Sequence, residues 1–90
     1  MKIEQEIIKF AKEHNIDAIF EGHDPEEGTF KTYYLLKINY RFDSKLENKV
    51  STLNLDLYRR TKQSFNIMCW PVDSIKDAEN YGFMKEQIYP

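Results

Sequence analysis

Residues 29–42, TFKTYYLLKINYRF, alternate in character over a length that few folds accommodate. Successive side chains of a strand point to opposite faces. The even positions Phe30, Thr32, Tyr34, Leu36, Ile38, Tyr40 and Phe42 make an apolar face, and the odd positions Lys31, Tyr33, Leu35, Lys37, Asn39 and Arg41 a more polar one. β-Branched and aromatic residues dominate, with no Gly or Pro to interrupt. A strand over the whole run would reach roughly 45 Å against about 17–20 Å for an ordinary strand, so a bend, a bulge or a projecting end is expected.

The elements on either side follow from spacing. Ile3, Ile7, Phe10, Ala11 and His14 recur at helical intervals and predict an amphipathic helix over 2–14, with Glu4 and Glu6 in its first turn, Lys12 and His14 in its last, and Asn15 as a left-handed cap. Residues 16–21 alternate through Ile16, Ala18 and Phe20 and read as a strand. Residues 22–28, GHDPEEG, have the chemistry of a loop and join that strand to the long one as a hairpin. After a polar connection over 43–48, residues 50–58 alternate again, with Leu53, Leu55 and Leu57 on one side. A tight basic turn over 59–62 leads to a fourth strand, 63–70, stopped by Pro71. Asp73 or Ser74 can cap a short helix reaching about Tyr81, with Gly82 just past its end, and residues 83–90 form a tail that the pattern leaves open.

The alternations are mutually consistent in one arrangement. Pairing Phe20 with Phe30, Ile38 with Leu53, Leu36 with Leu55, and Leu55 with Ile67 keeps every apolar residue on a single face. The predicted fold is therefore α+β: a two-layer domain over residues 1–90, with a four-stranded antiparallel meander in the order 1-2-3-4 and both helices on one face (αββββα). The opposite face is then uncovered, and Tyr33, Leu35, Lys37, Arg41, Tyr58, Met68 and Trp70 on it include the residue types enriched at interfaces.

Composition narrows the functional classes. A chain of 90 residues that is 41% hydrophobic and 31% charged is neither disordered nor too short for one core. The net charge of −2 supplies no overall attraction for nucleic acid or an anionic membrane. Apolar runs are far shorter than the roughly 20 residues of a membrane span, and the start MKIEQE lacks a signal-peptide core, so no membrane association and a cytoplasmic location are expected. The single cysteine, Cys69, excludes an intrachain disulfide and falls in phase with Ile67 and Phe65 on an apolar face, as a small hydrophobe.

No pattern specific to catalysis is present. His23, Asp24, Glu26 and Glu27 crowd one loop, but neither the spaced oxygen ligands of a calcium loop nor the His/Cys set of a zinc site is there. His14 and His23 have no Ser or Cys partner at nucleophile spacing. The expectation is no enzyme, no cofactor and no metal. A small interaction module is expected instead, binding a protein partner or a second copy through the uncovered sheet face. Compact acidic one-domain chains of this kind serve as inhibitors, immunity factors or accessory subunits, often on phages or other mobile elements. The alternative is nucleic-acid binding through Lys37, Arg41, Arg59, Arg60 and Lys62, with the sheet aromatics stacking on bases.

Overall fold

In a computed structural model, which describes residues 2–24, 26 and 31–90, the long alternating run is cut short. Strand β2 spans Lys31–Ile38, and Asn39 turns the chain away in the left-handed region at φ 57°. Ahead of it stand helix α1, Ile3–Glu13, and strand β1, Ala18–His23. Beyond it come helix α2, Ser44–Thr61, strand β3, Asn66–Val72, a 3-10 helix at Ile75–Asn80, and strand β4, Met84–Tyr89.

The first helix ends as its sequence predicts. Asn15 takes φ 57° and the Ile16 N–H reaches the Ala11 carbonyl at 3.0 Å, the six-residue bond of a Schellman cap. The second helix is the principal correction, because residues 50–58 were expected to be a strand. Asp43 stops the extended chain and its Oδ1 accepts from the backbone N–H groups of Lys45 and Leu46 at 2.9 and 3.3 Å, an N-cap that starts a helix. Leu46, Val50, Leu53 and Leu57 then fall at i, i+4, i+7 and i+11, on the buried side. Leu55, in phase with Leu53 and Leu57 in a strand, lies on the other side of the cylinder and is 50% exposed. Lys62 closes the helix in the left-handed region, its N–H bonded to the Tyr58 carbonyl.

A helix between β2 and β3 makes the connection a crossover, and the two strands run parallel, with Tyr33 opposite Ile67 and Leu36 opposite Trp70. The antiparallel pairs are β1 with β2 and β1 with β4. The sheet is therefore mixed, in the order β3-β2-β1-β4, and not the expected antiparallel meander. Between β1 and β2 the register is Phe20 to Tyr34, four residues along from the Phe20–Phe30 pairing of the sequence reading, an even slip that preserves which residues share a face. The tail forms β4. Gly22 belongs to β1 and lets β4 approach: a Cβ there would sit 1.8 Å from the Phe83 carbonyl oxygen. Pro71 lies inside β3, not after it. The Val72 carbonyl points to β2, where it accepts from Asn39. Alternation along the strand then turns the backbone N–H and C=O groups of Ile67 and Cys69, and the backbone of Pro71, away from β2, where the missing N–H of a proline breaks no bond.

Both faces of the sheet are covered. Helices α1 and α2 pack on Ile19, Tyr33, Leu35 and Ile67, the odd face of β2 that was expected to be bare. The even face, with Tyr34, Leu36 and Val72, packs against Ala78 and Ile75 of the 3-10 helix and against Tyr81 and Phe83. The short C-terminal helix is thus on the opposite side from α1, capped as predicted by Ser74, whose box partner is Asp77. Trp70 sits within 5.5 Å, centroid to centroid, of the Tyr34, Tyr81 and Phe83 rings, in edge-on contacts typical of buried aromatic clusters.

Candidate functional site

The seven residues expected to form one interface do not share a surface. Tyr33 and Leu35 are 2% and 0% exposed beneath the helices. Met68 and Trp70 are half-buried on the other face, in the aromatic cluster. Lys37 donates to the carbonyls of His14 and Asn15 at 3.3 and 3.1 Å, so its ammonium ties down the C-terminal end of α1. Arg41 is exposed in the connection before α2, and Tyr58, 46% exposed, is on α2. The physical cause is the helix: with α2 replacing a strand, odd residues of β2 gain a cover, and β3 pairs directly with β2 in a register that sets Met68 and Trp70 in line with its even residues Tyr34 and Leu36.

The basic set is dispersed as well. Arg60 bridges Glu6 at 3.2 Å and Asp56 at 2.7 Å, joining α2 to α1. Lys37 is engaged with α1, which leaves Arg41, Arg59 and Lys62 exposed at opposite ends of α2. Of the acidic loop, His23 ends β1, and Asp24 accepts from the Glu26 N–H at 2.7 Å in a local turn; Glu27 lies outside the described residues. Among the described residues no group of three His, Cys, Asp or Glu side chains could hold a metal ion, and no helix is long and apolar enough to cross a membrane.

Two polar clusters carry perturbed protonation. Where β1, β2 and the start of α1 meet, a hydrogen bond with Glu21 raises the Glu4 carboxyl above the ordinary carboxylate range, with burial and the Glu21 charge adding to it. Lys31 Nζ sits 3.2 Å from Glu21 and 5.8 Å from the Tyr33 ring centroid. Burial alone would lower Lys31, but its bond to Glu21 and the neighbouring charges raise it on balance. A cavity of about 500 Å³ lies here, lined in part by Glu4, Lys31, Tyr33 and Thr61. Of its charged groups, Lys31 and Glu4 are both engaged by Glu21. At the other end of the sheet, the Tyr40 hydroxyl donates to Glu47 Oε2 at 2.5 Å. Burial and that bond push Tyr40 up to about 12, and burial together with the Glu47 charge pushes the Cys69 thiol up to about 12. The raised pKa keeps Cys69 as the thiol at neutral pH, the less reactive form.

The uncompensated feature is the outer edge of β3. Of the two edge strands, β4 is bulged against β1 at two points and presents Lys85, Glu86 and Gln87 exposed, devices that discourage further pairing. Strand β3, Asn66–Val72, has neither a bulge nor a charged side chain, and no described residue pairs with its outer side. Beside it runs a cleft of about 390 Å³ lined by Ser51, Asn54, Leu55, Tyr58, Ser64, Phe65 and Asn66. The chain matches no known protein-family profile, and no curated protein or solved structure aligns with it significantly. The site must therefore be judged on its own geometry. The sequence reading missed Ser51, Asn54 and Leu55; spaced i, i+3, i+4 with Tyr58 at i+7, they form one helical stripe once 44–61 is read as a helix.

Proposed function

We propose that this chain is a small non-catalytic interaction module that takes up an extended segment of a protein partner along the outer edge of β3, next to the uncharged stripe of α2. The observation that carries the reading is the contrast between the two edges. A strand edge with free N–H and C=O groups offers main-chain affinity, and an adjacent cleft offers side-chain selectivity, the two components of strand addition. Tyr58, 46% exposed, supplies an aromatic contact of the kind interfaces concentrate, and Leu55, 50% exposed, adds apolar area beside it. Roles as an inhibitor, an immunity factor or an accessory subunit are compatible with such a module. The nucleic-acid alternative has less support, because Lys37 and Arg60 are engaged within the fold.

The test is a Leu55→Asp, Tyr58→Asp double variant, both positions being exposed enough to accept charge without unfolding the chain. Its expected behaviour is an unchanged thermal transition and loss of a specifically captured partner, while Phe42→Asp, at a site 79% exposed and away from the cleft, retains that partner. Capture by the double variant at the level of the parent chain would overturn the proposal.

A further inference from the structure

We infer that the segment received by β3 is an acidic one, an extended stretch of a partner protein whose Asp or Glu side chains seat beside the C-terminal end of α2; this rests on the reading of the β3 edge as the binding surface. Charge distribution supports it first. Residues 41–62 carry Arg41, Lys45, Lys49, Arg59, Arg60 and Lys62 against Asp43, Glu47 and Asp56, so α2 and its flanks are net positive at both ends. The whole chain has a net charge of −2, so the negative excess lies elsewhere. A positive region steers an acidic partner toward the α2 side. Pairing within the fold sharpens the contrast. All three acidic groups are engaged: Asp43 by the N–H groups of Lys45 and Leu46, Glu47 by the Tyr40 hydroxyl, and Asp56 by Arg60. Of the six basic groups, Arg60 alone is in an ion pair among the described residues.

The second support is where the unengaged charge lies. Neither β3 nor the lining of the cleft beside it includes an acidic or basic side chain. On α2, Arg59 follows the cleft residue Leu55 by four positions and Lys62 follows Tyr58 by four, so each stands about one turn further along the same side of the helix. Both are exposed, and at the far end of the strand the exposed Asp73 follows Val72. The edge is therefore positive where β3 begins, neutral along its length and negative where it ends. The carbonyl end of α2 contributes about half a negative charge, less than the two free cations supply. Carboxylates of a bound segment are thus directed to the start of β3. The third support separates a polypeptide from a nucleic acid. The outward N–H and C=O groups of Ile67 and Cys69 match another main chain. A phosphate backbone instead needs a cationic groove that tracks its length, and along β3 the cations stand at one end.

Selection from a random peptide library displayed on phage, against the full chain, tests this directly. The expected result is enrichment of sequences rich in Asp and Glu. In a synthesised member of that set, replacing the acidic residues by Asn and Gln is expected to weaken binding at least about tenfold. The Arg59→Gln, Lys62→Asn variant removes both charges and sets at the left-handed cap a residue that accepts that conformation. It is expected to keep the thermal transition, to weaken the acidic peptide by a similar factor, and to have no added effect on the neutralised peptide. Enrichment of uncharged or basic sequences, no enrichment at all, or an acidic peptide held as tightly by this variant as by the parent chain overturns the inference. So does single-stranded DNA bound more tightly than the peptide at the same salt. The broader reading is separable: uncharged or basic peptides that the Leu55→Asp, Tyr58→Asp variant loses keep the edge as the binding surface and remove its acidic preference, whereas peptides retained by that variant remove the edge altogether.

Discussion

Truncating Leu57 and Leu55 separately to alanine distinguishes the helix of this fold from the strand that alternation suggests. In a strand the two would share a face and lose comparable stability. In α2 they do not: Leu57 is 0% exposed among the core side chains and Leu55 is 50% exposed. A buried Leu→Ala change costs about 2–5 kcal/mol, a transfer loss plus the cavity left behind. A domain of this length has a stability of about 5–13 kcal/mol in all, so Leu57→Ala removes a large fraction of it. At Leu55 half the side chain is already in water, so the loss is at most about 1 kcal/mol. Alanine is the best helix former, so propensity adds nothing to either cost. The assay is urea denaturation followed by far-UV circular dichroism, at a dilution where light scattering gives the single-chain mass. At roughly 4–8 °C per kcal/mol, Leu57→Ala lowers Tm by at least about 8 °C. Equal losses at the two positions, or the larger at Leu55, would refute the placement of α2.

Further expectations follow from the same contacts. Gly22→Ala drives a methyl group to 1.8 Å from the Phe83 carbonyl oxygen, so β4 must move; the expected cost is about 1–3 kcal/mol by thermal denaturation, with faster amide exchange in residues 84–89. Glu4 has a folded-state pKa raised by Glu21, so its contribution is present at acid pH and lost as pH rises through that raised value. Glu4→Gln, which keeps a donor and discards the charge, stabilises by a few tenths of a kcal/mol at pH 7 after solvent screening, and by nothing at pH 4, in paired urea titrations. The Cys69 thiol, raised from 9.0 to about 12, is expected to react with iodoacetamide at pH 7.5 much more slowly than a free thiol. Its raised pKa also means stability that is intact below about pH 9 and falls between there and about pH 12, a fall made shallower by Cys69→Ala.

Much of the fold is written locally in the chain. The α1 periodicity, the left-handed Asn15, the parity of β1 against β2 and the Ser74 cap all depend on neighbours within a few residues, and each is found as read. What alternation concealed was α2, since Leu53, Leu55 and Leu57 satisfy period two while Leu46, Val50, Leu53 and Leu57 satisfy period 3.6. The arbiters were Asn39 and Asp43, a left-handed stop and an N-cap, which break the run before the helix begins. That one substitution of element propagated to the site. It made β2 and β3 parallel, buried Tyr33 and Leu35, moved Met68 and Trp70 to the other face, and exposed the edge of β3. Strand order depends on contacts distant in sequence, and nothing in the local pattern of residues 84–89 marks β4 as the partner of β1.

The most direct measurement of the central claim is residue-resolved amide hydrogen exchange of the full chain, alone at high dilution and again with a selected peptide bound. The outward N–H groups of Ile67 and Cys69 should exchange freely in the dilute chain and become protected on association, with no matching change along the outer edge of β4. Protection of Ile67 and Cys69 already at high dilution, or association that leaves both unprotected, would contradict the account.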